Sequence, residues 1–453
     1  MFNRLIIKEL EKWAKRKDRK PLILRGVRQV GKTTIISQFA EQYENYIYLN
    51  LELAEEKRIF EEFTDIETLV QRVFFVKNIS LSKKSSTLLF IDEIQEIPSA
   101  FNTLRYFYEK FPQIHIIAAG SLLESLFLKE NSFPVGRVDY LVLRPVSFPE
   151  FLNAIGENTA LEQLQKIPAA DFVHEKLLRL FHTYAVIGGM PEAVRNYCEN
   201  KDFVELQRIY EALIAAYLDD VEKYASTSSQ TQTFRLVIKS CFFEAGKRIK
   251  FEGFGKSNYR SREIGEALRT IEKAMLIQLI YPLTSSVLPL LADHKKSPRL
   301  HVVDSGMLSH FVGIQKELIS SGNLHEVYQG TLIEHLIGQE ILATQFNVLS
   351  ALHFWVREKS SSSAEVDYIF PYEGKLIPIE VKSGTQGKLK SLHLYMETAP
   401  HQMAVRFFAG KQSIQKVEIG ERKYYYLLNL PYYLASQLEQ YLKWFEKEIA
   451  IEK

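Results

Sequence analysis

Residues 26–33 read Gly26-Val27-Arg28-Gln29-Val30-Gly31-Lys32-Thr33. A short apolar run at residues 22–24 precedes this stretch, and a helix-like segment beginning at Thr34 follows it. Strand, glycine loop and helix in this order are the context in which a G-x-x-x-x-G-K-T pattern forms a nucleotide phosphate loop. The two glycines let backbone N–H groups approach phosphate oxygens, and the new helix adds its positive N-terminal end.

The residues of this loop have different expected roles. Lys32 supplies a positive charge for the β- and γ-phosphates, and the Thr33 hydroxyl is a ligand for Mg²⁺. The other positions expected to contact the nucleotide are Gly26, Val27, Arg28, Gln29, Val30, Gly31 and Thr34. The alternative is a coincidental glycine turn. The sequence shows no clear Asn-Lys-x-Asp guanine selector, so it favours ATP over GTP.

Composition limits the class of protein. The chain has 453 residues, 46% of them apolar and 25% charged, which suggests a globular protein of about three domains. The net charge of +2 confines any nucleic-acid affinity to a local patch. The only cysteines, Cys198 and Cys241, exclude a disulfide framework and a cysteine-rich zinc site. Early charges argue against a signal peptide, and no apolar run reaches membrane-spanning length. We therefore expect a cytoplasmic protein without a membrane partner.

The first 149 residues are predicted to form a parallel α/β core. Five apolar segments are candidate strands, and helical stretches separate the first four: residues 22–24, 46–51, 87–91, 114–119 and 140–143. Such alternation predicts a parallel sheet covered by helices. Ligands of such sheets bind at the carboxyl ends of the strands, where the phosphate loop lies.

Two acids follow the third candidate strand. A buried run that ends in Asp92 and Glu93 has the form of a Walker B segment. Asp92 is expected to hold Mg²⁺ through water, and Glu93 to orient or deprotonate the attacking water. The alternative is a strand that runs into a solvated acidic turn.

Two further residues are candidates for the chemistry. Ser121 follows the fourth strand, where its hydroxyl would reach the γ-phosphate or the attacking water, or would only cap the next helix. Arg137 precedes the fifth strand, where it would stabilise transition-state charge, or would be a solvated loop arginine. Both alternatives remain open.

These motifs resemble those of prokaryotic AAA+-type ATPases, in the branch related to archaeal predicted ATPases and STAND signalling ATPases. The resemblance also rests on residues 145–151, Pro-Val-Ser-Phe-Pro-Glu-Phe. It implies that Ser121 is sensor 1 and that Arg137 is a candidate arginine finger. A finger that acts on a neighbouring subunit would require at least a dimer, so a homo-oligomer is one expectation.

Residues 150–225 are predicted to form a helical lid. Apolar residues recur at helical spacing through residues 172–187 and 203–217. Between them lies Gly188-Gly189-Met190-Pro191, which on spacing alone is a turn between two helices. In the family that the chain resembles, a Gly-x-Pro in the lid packs near the nucleotide. The resemblance therefore implies that Pro191 is a nucleotide contact.

Residues 226–312 have the pattern of a winged helix-turn-helix. Helical segments at 234–245 and 261–274 precede strand-like runs at 276–282 and 300–303. Residues 239–299 contain twelve Lys or Arg against six Asp or Glu, which is a phosphate-binding footprint. The second helix carries Arg260, Arg262, Arg269 and Lys273. DNA is the expected partner, and the alternative is a packing module with a solvated basic face.

Residues 313–453 bring acids together around a predicted hairpin. Asp367 lies on its first strand, Glu380 and Lys382 lie on one face of its second strand, and Glu334 lies on a helix upstream. Asp367 and Glu380 would hold Mg²⁺, Lys382 would position or activate water, and Glu334 would add a metal ligand.

This order resembles the PD-(D/E)XK restriction-endonuclease fold, with Val366 where the motif has proline. The whole chain is similar to a widespread prokaryotic family whose C-terminal domain has no assigned function. We therefore expect an ATP-hydrolysing switch, joined to a winged helix and a nuclease-like domain and acting on DNA. The alternative is a nucleotide-gated signalling or scaffold ATPase, whose C-terminal domain only binds nucleic acid or protein.

Overall fold

The structure is a computed structural model of the chain. It describes residues 3–62, 65–120, 136–220, 225, 227–315, 330–357, 364–384, 389–420 and 423–452. Within these ranges no helix is both long and apolar enough to cross a bilayer.

The N-terminal region is built on a five-stranded parallel sheet in the order β2-β3-β4-β1-β5. Its strands are β1 (Leu22–Arg25), β2 (Asn45–Asn50), β3 (Thr87–Asp92), β4 (His115–Ala119) and β5 (Asp139–Val142). Its helices are α1 (Ile6–Ala14), α2 (Lys32–Ala40), α3 (Ala54–Glu61), α4 (Ile66–Val76) and α5 (Pro98–Lys110). The five predicted strands and their parallel order are confirmed.

The central strands are buried on both faces, as their apolar sequences require. Every residue of β3 is buried, and two apolar clusters lie on opposite sides of the sheet. Leu24 pairs with Ala119, so β1 and β4 end at the same edge, where the glycine loop begins.

A helical segment follows the first sheet. It comprises α6 (Phe148–Ala154), α7 (Asn158–Leu164), α8 (His174–Ile187), α9 (Pro191–Asn200) and α10 (Val204–Asp220). Helix α6 begins with a capping box, in which Glu150 accepts the Ser147 N–H (2.8 Å). The same carboxylate forms an ion pair with Arg4 (3.1 Å), so it also fixes α1.

The middle of the chain contains two helices and an antiparallel strand pair. These are α11 (Ser228–Cys241), α12 (Ser261–Lys273), β6 (Ile277–Ile280) and β8 (Arg299–Val302). This order agrees with the helices and strands that the sequence predicts there. Helix α13 (Ser305–Phe311) follows, and Asp304 caps it by accepting the Met307 N–H (2.9 Å).

The C-terminal region is a mixed sheet with helices. The sheet order is β11-β12-β13-β15-β14. Its strands are β11 (Tyr368–Tyr372), β12 (Lys375–Val381), β13 (Met403–Phe408), β14 (Ser413–Ile419) and β15 (Lys423–Pro431). The helices are α14 (Thr331–Ala343), α15 (Lys390–Met396) and α16 (Leu438–Glu452). Strands β11 and β12 form the predicted hairpin.

A small three-stranded sheet joins the middle and C-terminal regions. Strand β7 (Pro282–Leu283) pairs with β9 (Phe354–Val356), which also pairs with β10 (Glu365–Val366). The two regions therefore share backbone hydrogen bonds across the boundary expected near residue 312.

Helix α14 also reaches the lid through a buried carboxyl group. Glu340 is fully buried, and it accepts hydrogen bonds from the Phe148 N–H (3.1 Å) and the Tyr184 hydroxyl (2.7 Å). Burial raises the pKa of Glu340 to about 8, against the lowering effect of these bonds. This carboxyl group is therefore largely protonated in the folded chain at neutral pH.

We expect Glu340→Gln to remove the part of the wild-type protein's loss of stability at rising pH that comes from ionisation of Glu340. The folded-state pKa lies above the unfolded value of about 4.3, so the folded chain keeps a proton that the unfolded chain has released. Glu340 thus stabilises the fold at low pH, and this contribution is lost as the pH rises towards about 8, by at most about 1.4 kcal/mol per pH unit. Glutamine does not titrate, yet it keeps an oxygen for Tyr184 and Phe148.

The measurement is thermal unfolding of both proteins between about pH 5 and pH 8. The variant should gain stability relative to wild type as the pH rises. Glu418→Gln, at an exposed position on β14, is the control and should run parallel to wild type. Parallel curves for Glu340→Gln would contradict the assigned protonation.

Candidate functional site

The glycine loop curls around the amine of Lys32. Gly31 has φ +96° and Gln29 has φ +61°, and both turn the backbone inward. Lys32 Nζ donates to the carbonyl oxygens of Gly26 (2.9 Å) and Val27 (3.3 Å). A Cβ on Gly26 would lie 2.6 Å from the Leu143 carbonyl oxygen, so this position has no room for a side chain. The loop is therefore held in a closed curl around the Lys32 amine.

Thr33 and Asp92 meet at the foot of this loop. The Thr33 hydroxyl donates to Asp92 Oδ2 (2.7 Å), because β3 ends beside the start of α2. Burial raises the pKa of Asp92, and the Thr33 hydrogen bond opposes this rise. Burial also lowers the pKa of Lys32, against the attraction of Glu93 and Asp92. A hydroxyl and a carboxylate in direct contact fit the ligand set of a nucleotide-bound Mg²⁺.

Glu93 is fixed by its own backbone. It has φ +49°, in the left-handed region, and its N–H donates to Asp92 Oδ1 (3.1 Å). Gln95 Nε2 donates to its carboxylate. A non-glycine residue in this conformation stores strain, which is common at functional sites. The turn places Glu93 on the wall of the same cavity as Lys32.

The lid closes the other side of this cavity, which has a volume of about 910 Å³. Pro191 lines it, and a Cβ on Gly31 would lie 3.7 Å from Pro191 Cγ. Arg28 forms an ion pair with Asp220 (2.6 Å), and Tyr217 donates to the Arg28 carbonyl oxygen (3.0 Å). The lid therefore contacts the glycine loop through α9 and α10.

Some of the other residues predicted to contact the nucleotide line the cavity, and others are buried in the core. Gln29 and Thr34 line the cavity, whereas the side chains of Val27 and Val30 are buried in the apolar core. The valines therefore contribute their backbone to the loop.

Of the other two candidates, Arg137 lies away from this cavity. Ser121 lies outside the described residues. Arg137 precedes β5, whose Asp139 pairs with Leu22 at the start of β1. Arg137 therefore lies at the amino edge of the sheet, opposite the glycine loop. Its guanidinium contacts Glu109 (3.4 Å) at the surface.

A second cluster lies in the C-terminal region. Asp367 Oδ2 accepts the Val381 N–H (2.7 Å), which draws β11 and β12 together. Lys382, directly after β12, donates from its Nζ to Glu380 Oε1 near the end of that strand. Glu334 interacts electrostatically with Asp367 and Glu380 from helix α14. The four residues predicted to form an acidic site are thus neighbours.

Arg299 is at the centre of this cluster, and it was not among the site residues predicted from the sequence. Its buried guanidinium forms ion pairs with Glu334 and with Glu365, and donates to the Asp367 carbonyl oxygen (2.8 Å). An arginine in the short strand β8, next to the apolar Leu300 and Val302 at alternate positions, was a signal of a buried partner. Glu365 lies two residues before Asp367, and this second acid close to the predicted site was another signal.

The cluster fits a metal ion only in part. Burial raises the pKa of Glu334 and of Glu380, and the neighbouring carboxylates raise it further, whereas the Arg299 guanidinium opposes this rise and favours the ionised form of Glu334. Glu380 Oε2 is buried without a hydrogen-bond partner, which suits a cation. Arg299, however, already neutralises Glu334. Among the described residues no group of three or more His, Cys, Asp or Glu could hold a metal ion. Asp367 and Glu380 therefore remain the candidate ligands, and Glu334 does not fit this role in the present arrangement.

Helix α12 presents a basic stripe. Arg262, Arg269 and Lys273 are exposed and recur at spacings that place them on one face of the helix. Arg260, directly before the helix, is exposed as well. These positions suit contacts with the phosphates of a nucleic acid.

Three family models match parts of the chain. Residues 18–152 match an AAA domain. Residues 178–318 and 329–432 match two domains of unknown function, DUF8612 and DUF4143. The first of these two spans most of the expected lid together with the middle region, and the second lies within the expected C-terminal domain. No curated protein matches the chain.

Two solved structures are similar to it at low identity. A Walker-type ATPase of Pyrococcus abyssi is 14% identical with a TM-score of 0.43, and the match covers 69% of this chain and 96% of that one. PCH-2 of C. elegans is 12% identical with a TM-score of 0.22, and the match covers 60% and 67%. The family match and the loop geometry together identify residues 18–152 as a P-loop domain of the AAA type.

Proposed function

We propose that this chain is a Mg²⁺-dependent ATPase. The observation that carries the proposal is the contact of Thr33 with Asp92 (2.7 Å) beside the amine of Lys32, at the foot of the cavity beneath the lid. The bound Mg²⁺ would supply positive charge to the phosphate oxygens.

The residues of the chain then have distinct tasks. The Lys32 amine exchanges its two carbonyl partners for phosphate oxygens, and the loop N–H groups donate to the same phosphates. Thr33 and Asp92 hold the metal directly or through water. Glu93 accepts a hydrogen bond from the attacking water and orients it, while Pro191 and α9 exclude bulk water from the cavity.

We expect Lys32→Ala to abolish ATP binding or turnover. The variant loses the buried cation that faces the phosphates, and no other lysine lines the described part of the cavity. The measurement is steady-state ATP hydrolysis, with nucleotide binding followed separately by calorimetry. Lys12→Ala, at an exposed site on α1, is the control and should behave as wild type. Unchanged turnover by Lys32→Ala would contradict the proposed site.

A matched pair at Thr33 tests the role of its hydroxyl. Thr33→Ser keeps the oxygen that contacts Asp92, whereas Thr33→Val replaces it with a methyl group of similar size. Hydrolysis should survive in the serine variant and fall steeply in the valine variant, with a raised Mg²⁺ requirement. Equal activity of the two variants would show that the hydroxyl has no role.

A second candidate function is Mg²⁺-dependent cleavage of DNA by the C-terminal region. The convergence of Asp367, Glu380 and Lys382 supports it, together with the unpartnered Glu380 Oε2. In this proposal the two carboxylates hold the metal, and Lys382 positions the attacking water. The basic stripe of α12 binds the phosphate backbone.

The alternative is a nucleotide-gated signalling or scaffold ATPase with a non-catalytic C-terminal domain. The position of Arg299 supports it, because a resident guanidinium already neutralises Glu334 and Glu365. A domain of this kind would bind nucleic acid or protein without cutting it.

We expect Asp367→Asn to remove Mg²⁺-dependent nicking of supercoiled DNA while ATP hydrolysis continues. Asparagine keeps an oxygen for the Val381 N–H, so the hairpin is preserved, but it loses the charge that would hold the metal. The measurement is plasmid relaxation with Mg²⁺ and with EDTA. Glu418→Gln, an exposed carboxylate of the same sheet, is the control.

Two results would overturn the cleavage proposal. Nicking that survives Asp367→Asn would contradict the metal assignment. Salt-sensitive DNA binding by wild type without any nicking would favour the non-catalytic alternative.

A further inference from the structure

A second cavity lies behind the glycine loop. It has a volume of about 440 Å³, within the size range of small-molecule sites. Three parts of the chain line it: the ends of β1 and β5, the segment from α12 to β8, and the residues from α14 to Ala351. It shares no lining residue with the nucleotide cavity. Val27 lines the second cavity, whereas its neighbour Arg28 lines the nucleotide cavity.

The charged groups of this second cavity are mainly cationic. Arg25, Arg144 and Lys273 line it, against the single carboxylate of Glu272. Glu272 Oε1 is engaged by the Leu279 N–H (2.7 Å). His301 also lines the cavity, but burial lowers its pKa to about 4, so it is neutral at physiological pH. The cavity therefore has an excess of positive charge.

Arg144 is the central cation of this cavity. Its Nε donates to the Gln345 carbonyl oxygen (3.1 Å) and one Nη donates to that of Ser350 (3.4 Å). Burial lowers its pKa to about 10, and no described carboxylate offsets this effect. The group stays charged at neutral pH, and a desolvated charge without an opposite charge is costly. An anion in the cavity would supply the missing partner.

Most of the remaining lining residues are apolar, and Gln278, Gln339 and Ser350 are the polar ones among them. The apolar side chains include Val27, Leu143, Met275, Ile277, Val302 and Leu342. An inorganic anion would leave this apolar surface uncovered. The chemistry fits an organic anion with an apolar body and one phosphate, sulfonate or carboxylate head.

We propose that this cavity binds a small organic anion, with its charged head on Arg144 and Lys273 and its apolar body against the wall behind the glycine loop. The proposal does not rest on ATP hydrolysis or on DNA cleavage. Of the residues assigned to those functions, only Val27 of the glycine loop and Lys273 of the basic stripe line the cavity.

The test uses two fluorescent probes of the same shape on the full chain. Anilinonaphthalene sulfonate has an anionic head, and N-phenylnaphthylamine is its neutral counterpart. We expect Arg144→Met to weaken binding of the sulfonate probe about tenfold, the loss typical of one charge-assisted hydrogen bond. Binding of the neutral probe should be unchanged. Lys273→Met should weaken binding of the sulfonate probe severalfold. Lys250 is an exposed lysine outside the cavity, so Lys250→Met should not change this binding.

Sulfonate binding by a folded Arg144→Met protein at wild-type affinity would overturn the proposal. An equal loss for the neutral probe would also overturn it, because the cavity rather than its charge would then have changed. If Arg144→Met loses its cooperative melting transition, the affinity of Lys273→Met for the sulfonate probe decides between the outcomes. If Lys273→Met binds the sulfonate probe as tightly as Lys250→Met does, the proposed site is contradicted. If Lys273→Met binds it more weakly, the proposed site is supported.

Discussion

The close approach of two turns fixes the position of the lid. Asp304 accepts the Gly189 N–H with one carboxylate oxygen and the Met307 N–H with the other (2.9 Å). Gly188 has φ +78°, and a Cβ there would lie 2.6 Å from Asp304 Oδ1. Any side chain at this position would separate the two turns. Burial raises the pKa of Asp304 to about 6, and four hydrogen bonds oppose this rise. The hydrogen bonds from these turns therefore stabilise the buried Asp304 carboxylate, and the carboxylate in turn holds the Gly188–Gly189 turn in place.

Each side of this contact leads to a candidate site. On one side, Gly189 is followed by Met190 and Pro191, and Pro191 lines the nucleotide cavity. On the other side, the Ser305 N–H donates to Gln339 (2.8 Å) on α14, the helix that also carries Glu334. Two buried hydrogen bonds thus connect the lid to α14, and the helix itself leads from Gln339 to the acidic cluster. A movement of the lid on nucleotide binding would have to strain or rearrange these bonds, because packed interiors have little free volume.

The sequence predicted those features whose determinants are contiguous. The P-loop, the five parallel strands and the hairpin that carries Asp367 and Glu380 each lie within a short window, where periodicity and glycine spacing are informative. Asp304 and Arg299 were not found, because their partners lie far away in the chain and no local pattern encodes such a pairing. Arg137 illustrates a different limit. A residue that precedes a parallel strand lies at the amino edge of the sheet, so its own position argued against a role at the glycine loop of the same chain.

The chain buries charge in three different ways, and the differences bear on function. Glu340 is surrounded by hydrogen-bond donors, and its raised pKa leaves it largely protonated. Glu334 is compensated by a resident guanidinium, that of Arg299. Lys32 is different, because its amine bonds only to backbone carbonyl oxygens while burial lowers its pKa. A satisfied pair such as Glu334 with Arg299 gains little from a ligand, whereas an amine held only by carbonyl dipoles gains a full opposite charge when phosphate arrives. The glycine loop, like the cavity around Arg144, is therefore a place where an anionic ligand supplies a missing opposite charge.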